Sequence, residues 1–212
     1  EASSLSTSRN ISYFSSVSEE DLTREKAIEN IVEKNISQWQ EDGLIPDMEI
    51  ETGYNTDQPI RERGWSYWHQ LYSPRQLLSL AILKKHILQS EYSSQLFIAF
   101  AKAPDRMSNL CRWSSTKAQD IPLQVFSNQA LNTIFNWGVR AGPSFDKAFL
   151  FGDLPIFETG VNKEIENAHS AELATFNDLY ITDPPYADAV HYHEITEFFI
   201  AWLRKNPPKP FD

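Results

Sequence analysis

Apolar residues recur at three- and four-residue intervals in several stretches of the chain, a spacing that is typical of helices with one buried face. Ser18, with Asp21 three residues later, forms a capping pattern before the first of these stretches, and Gly43 ends it. Ser73 and Pro74 open the second stretch with a capping hydroxyl and a proline at the first helical position. The pattern predicts helices over residues 18–43, 74–88, 93–103 and 193–203.

The segments between these helices follow other patterns. Residues 44–64 are rich in Pro, Gly, Asn and Asp, which predicts a long connection with at most a short extended piece. Residues 126–137 predict helix or mixed structure. The β-prone run from Asp178 to Thr182 predicts a short strand, which ends where two prolines forbid further strand pairing.

Length and apolar content favour one α/β core with an appended or inserted piece. The chain has 212 residues, of which 41% are hydrophobic, so it can bury a sizeable core. Its single cysteine, Cys111, excludes an internal disulfide framework and a zinc ribbon built from cysteines, and we expect it to be a small buried residue. No apolar run reaches the roughly 18 residues that cross a bilayer. We therefore expect a cytoplasmic protein with no membrane partner.

The charge balance constrains any nucleic-acid function. With 19 basic and 29 acidic side chains the formal net charge is -10, which opposes non-specific attraction to a polyanion. DNA binding would therefore need a locally basic face. We assign Arg75, Arg204 and Lys205 as candidate phosphate contacts, and Arg75 lies in the first turn of a predicted helix, where backbone amides favour anions. Surface ion pairs are the alternative role for such residues.

The tetrapeptide Asp183-Pro184-Pro185-Tyr186 carries the clearest chemical signal, because open α/β sheets bind ligands at the carboxyl ends of their strands. Methylation of an exocyclic amine is helped by two hydrogen-bond acceptors aimed at its two N–H bonds. The Asp183 carboxylate is one acceptor, and a carbonyl of the Pro184–Pro185 turn is the other. Tyr186 offers a flat face on which an extruded base can stack. The alternative is a rigid turn in which Asp183 caps and Tyr186 packs.

These residues resemble the amino-methyltransferases with a D-P-P-Y motif, and most closely the large bacterial adenine-specific DNA methylases that often contain a zinc ribbon and a domain of unknown function. The resemblance extends from about Ile45 to Arg204. It includes the segment Gly64 to Leu78 with its "RQLL", the segment Phe126 to Leu131, and the segment Asp183 to Leu203. Only the D-P-P-Y motif is highly specific.

The resemblance implies a Rossmann-like α/β methyltransferase fold that uses S-adenosylmethionine, here partial and with a mostly helical insertion. Residues 1–63 would be a helical and irregular segment, either an insertion or a target-recognition part, and residues 64–212 the later half of the catalytic domain. The glycine-rich cofactor loop of the family is missing, since the 7 glycines are dispersed. The chain therefore looks like a fragment, inactive alone, whose partners are DNA and the missing half or another chain.

Other constellations indicate weaker alternatives. His191 and His193, with Glu194 and Glu197, could ligate a metal, but no third ligand is evident from the spacing, so we predict no metal site. Four aromatic residues near the second helix could stack bases, although an aromatic core is the favoured prediction; they are Trp65, Tyr67, Trp68 and Tyr72. For the whole protein, methylation of an amine in RNA or protein, or DNA binding without turnover, are the alternative functions.

Overall fold

The computed structural model describes residues 15–114, 122–127, 130–139, 169–172, 176–184 and 191–207. The helices are α1 (Glu19–Glu41), α2 (Asp57–Arg63), α3 (Pro74–Leu88), α4 (Ser93–Phe100), α5 (Lys102–Met107) and α6 (Tyr192–Leu203). Two short 3-10 turns cover Trp68–Leu71 and Ser170–Glu172. The two strands are β1 (Phe126–Ser127) and β2 (Ala130–Leu131), which pair in antiparallel fashion. The described part of the chain is thus mostly helical.

The predicted first and second helices are confirmed, together with the residues that begin them. Ser18 Oγ accepts a hydrogen bond from the Asp21 amide at 3.2 Å, and the Asp21 carboxylate accepts one from the Ser18 amide at 3.0 Å. Ser73 and Gln76 form the same reciprocal cap at the start of α3. Gly43, just beyond α1, has a φ of 72°, a left-handed conformation that favours glycine.

The predicted helix over residues 93–103 is divided in the structure, where α4 ends at Phe100 and α5 begins at Lys102. Pro104 explains the break because it has no amide hydrogen to donate to the carbonyl of Phe100, four residues earlier. The connection after α1 is mainly irregular, as predicted, but it also contains α2. Where helix or mixed structure was predicted over residues 126–137, the described residues contain the paired strands β1 and β2 and no helix.

The core joins α6 to the helices of the first half of the chain. Trp68 packs edge-on against Phe198 with ring centroids 5.7 Å apart, and Tyr72 packs in the same way on Trp202 at 5.1 Å. Phe100 contacts Trp202 at 6.0 Å. Trp68 and Tyr72 are buried, as expected for an aromatic core. The helix predicted over 193–203 is therefore confirmed and holds the C-terminal end of the chain on the helical body.

The predicted strand from Asp178 to Thr182 is not found, because the backbone of residues 176–184 is irregular. A β-prone run needs a neighbouring strand to complete its hydrogen bonds, and no strand pairs with it in the described part. The only sheet among the described residues is the β1–β2 hairpin. Pro185 and Tyr186 lie outside the described residues.

Candidate functional site

The first half of the D-P-P-Y motif lies on the surface. Asp183 and Pro184 are both exposed and lie in irregular backbone. The carboxylate that we expect to hold an amine is thus open to solvent, and the aromatic face expected from Tyr186 belongs to residues that are not described.

The segment that leads to the motif exposes large apolar side chains, which is unusual for a soluble chain. Phe176 is fully exposed, and Ile181 is 88% exposed. Leu179 and Tyr180 are also exposed. A contiguous run of such residues is typical of a surface that another segment or another chain covers.

The three basic residues predicted to contact phosphates form ion pairs instead. Arg75 Nε donates to the Glu25 carboxylate at 2.8 Å. Arg204 and Lys205 both pair with Asp47, and Lys205 Nζ lies 2.7 Å from its carboxylate. Burial opposes ionisation of Asp47, but hydrogen bonds from Lys205 and Arg204 outweigh it and lower its pKa.

These pairs join separate elements to one another. The Arg75 pair connects α3 to α1, while Arg204 and Lys205 connect the end of α6 to the segment after α1. A phosphate would have to displace a carboxylate at each of them. The observed contacts of Arg75, Arg204 and Lys205 are therefore the surface ion pairs that the sequence offered as the alternative to phosphate binding.

The structure brings together four residues that the sequence did not predict to be neighbours. They are Arg63, Trp65, Phe135 and Trp137, and we call them the aromatic surface. The Phe135 and Trp137 ring centroids are 4.4 Å apart, and those of Trp65 and Phe135 are 6.2 Å apart. The Arg63 guanidinium lies 5.1 Å from the Trp65 ring centroid and 5.4 Å from that of Phe135. Trp137 is 89% exposed.

A groove of about 720 Å³ adjoins this surface. Phe135 and Trp137 line it together with Arg112, whose Nε atom is buried and has no hydrogen-bond partner. An arginine next to exposed rings can contact both the face and the phosphate of a nucleotide. The signal available in the sequence was the pair of aromatic residues Phe135 and Trp137 close together in the chain.

Lys84 and Cys111 are titratable side chains that are buried in the structure. Lys84 lies beneath the aromatic core, donates to the Trp202 carbonyl and is 5.3 Å from the Phe97 ring centroid. Burial, with the nearby Lys205 charge, lowers the pKa of Lys84 to about 7. Cys111 is also buried, as predicted, and burial raises the pKa of its thiol, which makes it a poor nucleophile.

A histidine and glutamate cluster stands at the start of α6. His191, His193 and Glu194 each offer a ligand atom, and these three atoms lie within 4.8 Å of one another. Glu194 is buried, whereas His193 is exposed. The structure therefore supplies the third ligand that the spacing alone did not reveal.

Comparisons of the chain with protein-family models, with curated proteins and with solved structures found no match. Among the helices of the described residues, none has both the length and the apolar character to span a membrane.

Proposed function

We propose that this chain is the amine-binding part of a DNA methyltransferase that modifies the N6 amine of adenine. The observation that carries the proposal is the Asp183 to Tyr186 motif, whose first side chain is exposed. The Asp183 carboxylate would accept a hydrogen bond from the amine, and a carbonyl of the proline turn would accept a second one. Both bonds would hold the nitrogen lone pair out of conjugation with the base, and Tyr186 would stack on the ring.

S-adenosylmethionine is the methyl donor that the resemblance implies, but the described residues do not fit a site for it. A Rossmann-like site holds such a cofactor through a glycine-rich turn after a strand. The described glycines are dispersed, and two of them, Gly43 and Gly64, close helices. We therefore assign cofactor binding to another part of the enzyme, and give this chain only the task of holding the amine.

The exposed apolar side chains of residues 176–181 support a catalytic domain that is divided between this amine-binding chain and a separate cofactor-binding part. We propose that residues 178–182 become a strand when they pair with a sheet provided by the cofactor-binding half, in a Rossmann-like fold. Pairing would satisfy the backbone of the run and bury Leu179 and Ile181, which are now exposed. Asp183 would then stand at the carboxyl end of that strand, where such folds bind their ligands.

The aromatic surface supports a nucleic-acid substrate. With a net charge of -10 the chain as a whole repels DNA, so contact must rely on local features. Arg63, which stacks on Trp65 and Phe135, combines a positive charge with ring faces. We propose that this surface contacts bases or the backbone near the flipped adenine. Methylation of bacterial DNA would also place the protein in the cytoplasm.

The test is methyl transfer by the complete enzyme from labelled S-adenosylmethionine to DNA, RNA and protein in separate reactions. We expect label in DNA alone, recovered as N6-methyladenine. Label in RNA or protein but not in DNA would contradict the substrate and would favour the alternative amine substrates.

A second candidate, DNA binding without turnover, is favoured by one observation: the described residues hold an aromatic surface but no cofactor site. Its test is binding of a fluorescent single-stranded oligonucleotide, with Trp137→Ala as the variant. Binding that depends on Trp137, without methyl transfer by the complete enzyme, would select this candidate.

A further inference from the structure

We propose that His191, His193 and Glu194 form a binding site for one divalent transition-metal ion, with Zn²⁺ as the best match. Two imidazole nitrogens and one carboxylate are a ligand set that zinc accepts with a water in the fourth position. The proposal goes beyond methyl transfer, which needs no metal, and it stands whether or not the chain takes part in that reaction.

The geometry is close to that of a zinc site. The three ligand atoms lie within 4.8 Å of one another. Tetrahedral ligands that are each about 2.1 Å from zinc stand roughly 3.4 Å apart, so the widest of these separations must shorten by at most about 1.4 Å. His193 is exposed and can make this movement by rotating its side chain.

Glu194 is held in place before any ion binds. Its carboxylate accepts hydrogen bonds from the Asn55 amide at 3.1 Å and from Asn55 Nδ2 at 2.6 Å. The loop packs so tightly on it that a Cβ atom at Gly53 would stand 2.1 Å from Glu194 Oε1. A fixed carboxylate reduces the ordering cost of binding an ion.

His191 has a similar support. Its ring stacks on Tyr54 with centroids 5.4 Å apart and an angle of 15° between the planes. His193 meets His191 edge-on at 5.9 Å. Stacking restricts the His191 ring. One imidazole, that of His191, and the carboxylate of Glu194 are therefore oriented before an ion binds.

The electrostatic balance of the site favours a cation. Glu194 is 3% exposed, and in the described part of the chain no ion pair links it to a lysine or arginine. A buried carboxylate whose partners are neutral amides is costly. A metal ion would compensate its charge.

A second carboxylate lies near the proposed ligands. Glu197 is one turn along α6, close enough to the Glu51 carboxylate and to His193 for their charges to interact. The positive end of the α6 dipole works against a cation, but its partial charge is smaller than the full charge of the Glu194 carboxylate.

The test is calorimetric titration of the untagged, metal-free 212-residue chain with ZnCl₂. We expect one ion per chain with micromolar affinity, and a loss of about tenfold or more in His193→Ala. His193 is exposed, so this variant should fold as the parent does, which circular dichroism checks. His86→Ala, which removes an exposed histidine of α3, is the matched control and should bind as the parent does.

Two further measurements make the result specific. Co²⁺ in place of Zn²⁺ should give the intense visible absorption of a tetrahedral site, and Glu194→Gln should weaken it. Absence of zinc binding up to millimolar concentration would overturn the proposal. Equal losses in His193→Ala and His86→Ala, or a Co²⁺ spectrum unchanged in Glu194→Gln, would also overturn it.

Discussion

Lys84 is a lysine buried in the core. Its ammonium group lies beneath aromatic rings, and its hydrogen bond to the Trp202 carbonyl replaces only part of the lost hydration. The pKa falls from 10.5 to about 7. Because the unfolded chain keeps the higher pKa, it binds more protons than the folded chain between pH 7 and pH 10.5. Stability from this group therefore rises with pH across that window.

Replacement of Lys84 by Met should remove this dependence. Below pH 7 the folded chain must bury Lys84 in its charged form, which lowers the free energy of unfolding. Lys84→Met should therefore stabilise the chain most below pH 7. The advantage should shrink by about 2 kcal/mol between pH 7 and pH 9. Urea unfolding at both pH values measures it, with the exposed neighbour Lys85→Met as the control. An advantage that does not change with pH would mean that Lys84 stays protonated in the folded chain up to pH 9, so that its pKa is not lowered.

Tyr186 should contribute its ring face rather than its hydroxyl to the reaction. Loss of stacking on a flipped base costs about 1–3 kcal/mol, so Tyr186→Ala should lower kcat/KM of the complete enzyme severely and Tyr186→Phe only mildly. Steady-state methylation of a DNA duplex compares the two variants. Equal losses would assign the role to the hydroxyl group.

At the scale of elements, the sequence predicted the helices best because their signals are local. Ser18 with Asp21, and Ser73 with Pro74, place the start of α1 and α3 without any knowledge of tertiary contacts. The strand at 178–182 could not be judged in the same way, since a strand depends on a partner that is distant in sequence. The Arg63 contact with Phe135 is likewise long-range, so the aromatic surface was not predicted.

The irregular segment 176–184 should make the chain associate with itself. Phe176, Leu179 and Ile181 are exposed, and burying them between copies is favourable. Sedimentation velocity should show concentration-dependent association that Ile181→Ser reduces. Tyr92→Ser removes an exposed ring elsewhere and should have no effect. A parent chain that stays monomeric at high concentration would argue that this run needs no partner.

At the scale of the whole molecule, the helical body folds around an aromatic core, while Asp183 and Pro184 are exposed. Such a division suits a chain that positions a substrate but relies on another part for the methyl donor. The 212-residue chain alone should therefore not bind S-adenosylmethionine with useful affinity and should not methylate DNA. Calorimetric titration measures this directly. Micromolar binding at one site per chain would show that a cofactor site exists here and that the fragment interpretation is wrong.

The role of Asp183 is the central claim, and one measurement tests it most directly. N6-methyladenine is quantified by mass spectrometry in DNA treated with the complete enzyme, either parent or Asp183→Ala, with Asp178→Ala as an exposed control from the same segment. The account predicts methylation by the parent and the control, and loss in Asp183→Ala with cofactor affinity unchanged, because the carboxylate acts where charge develops on nitrogen. Retention of more than about a tenth of the parent's rate by Asp183→Ala would contradict it.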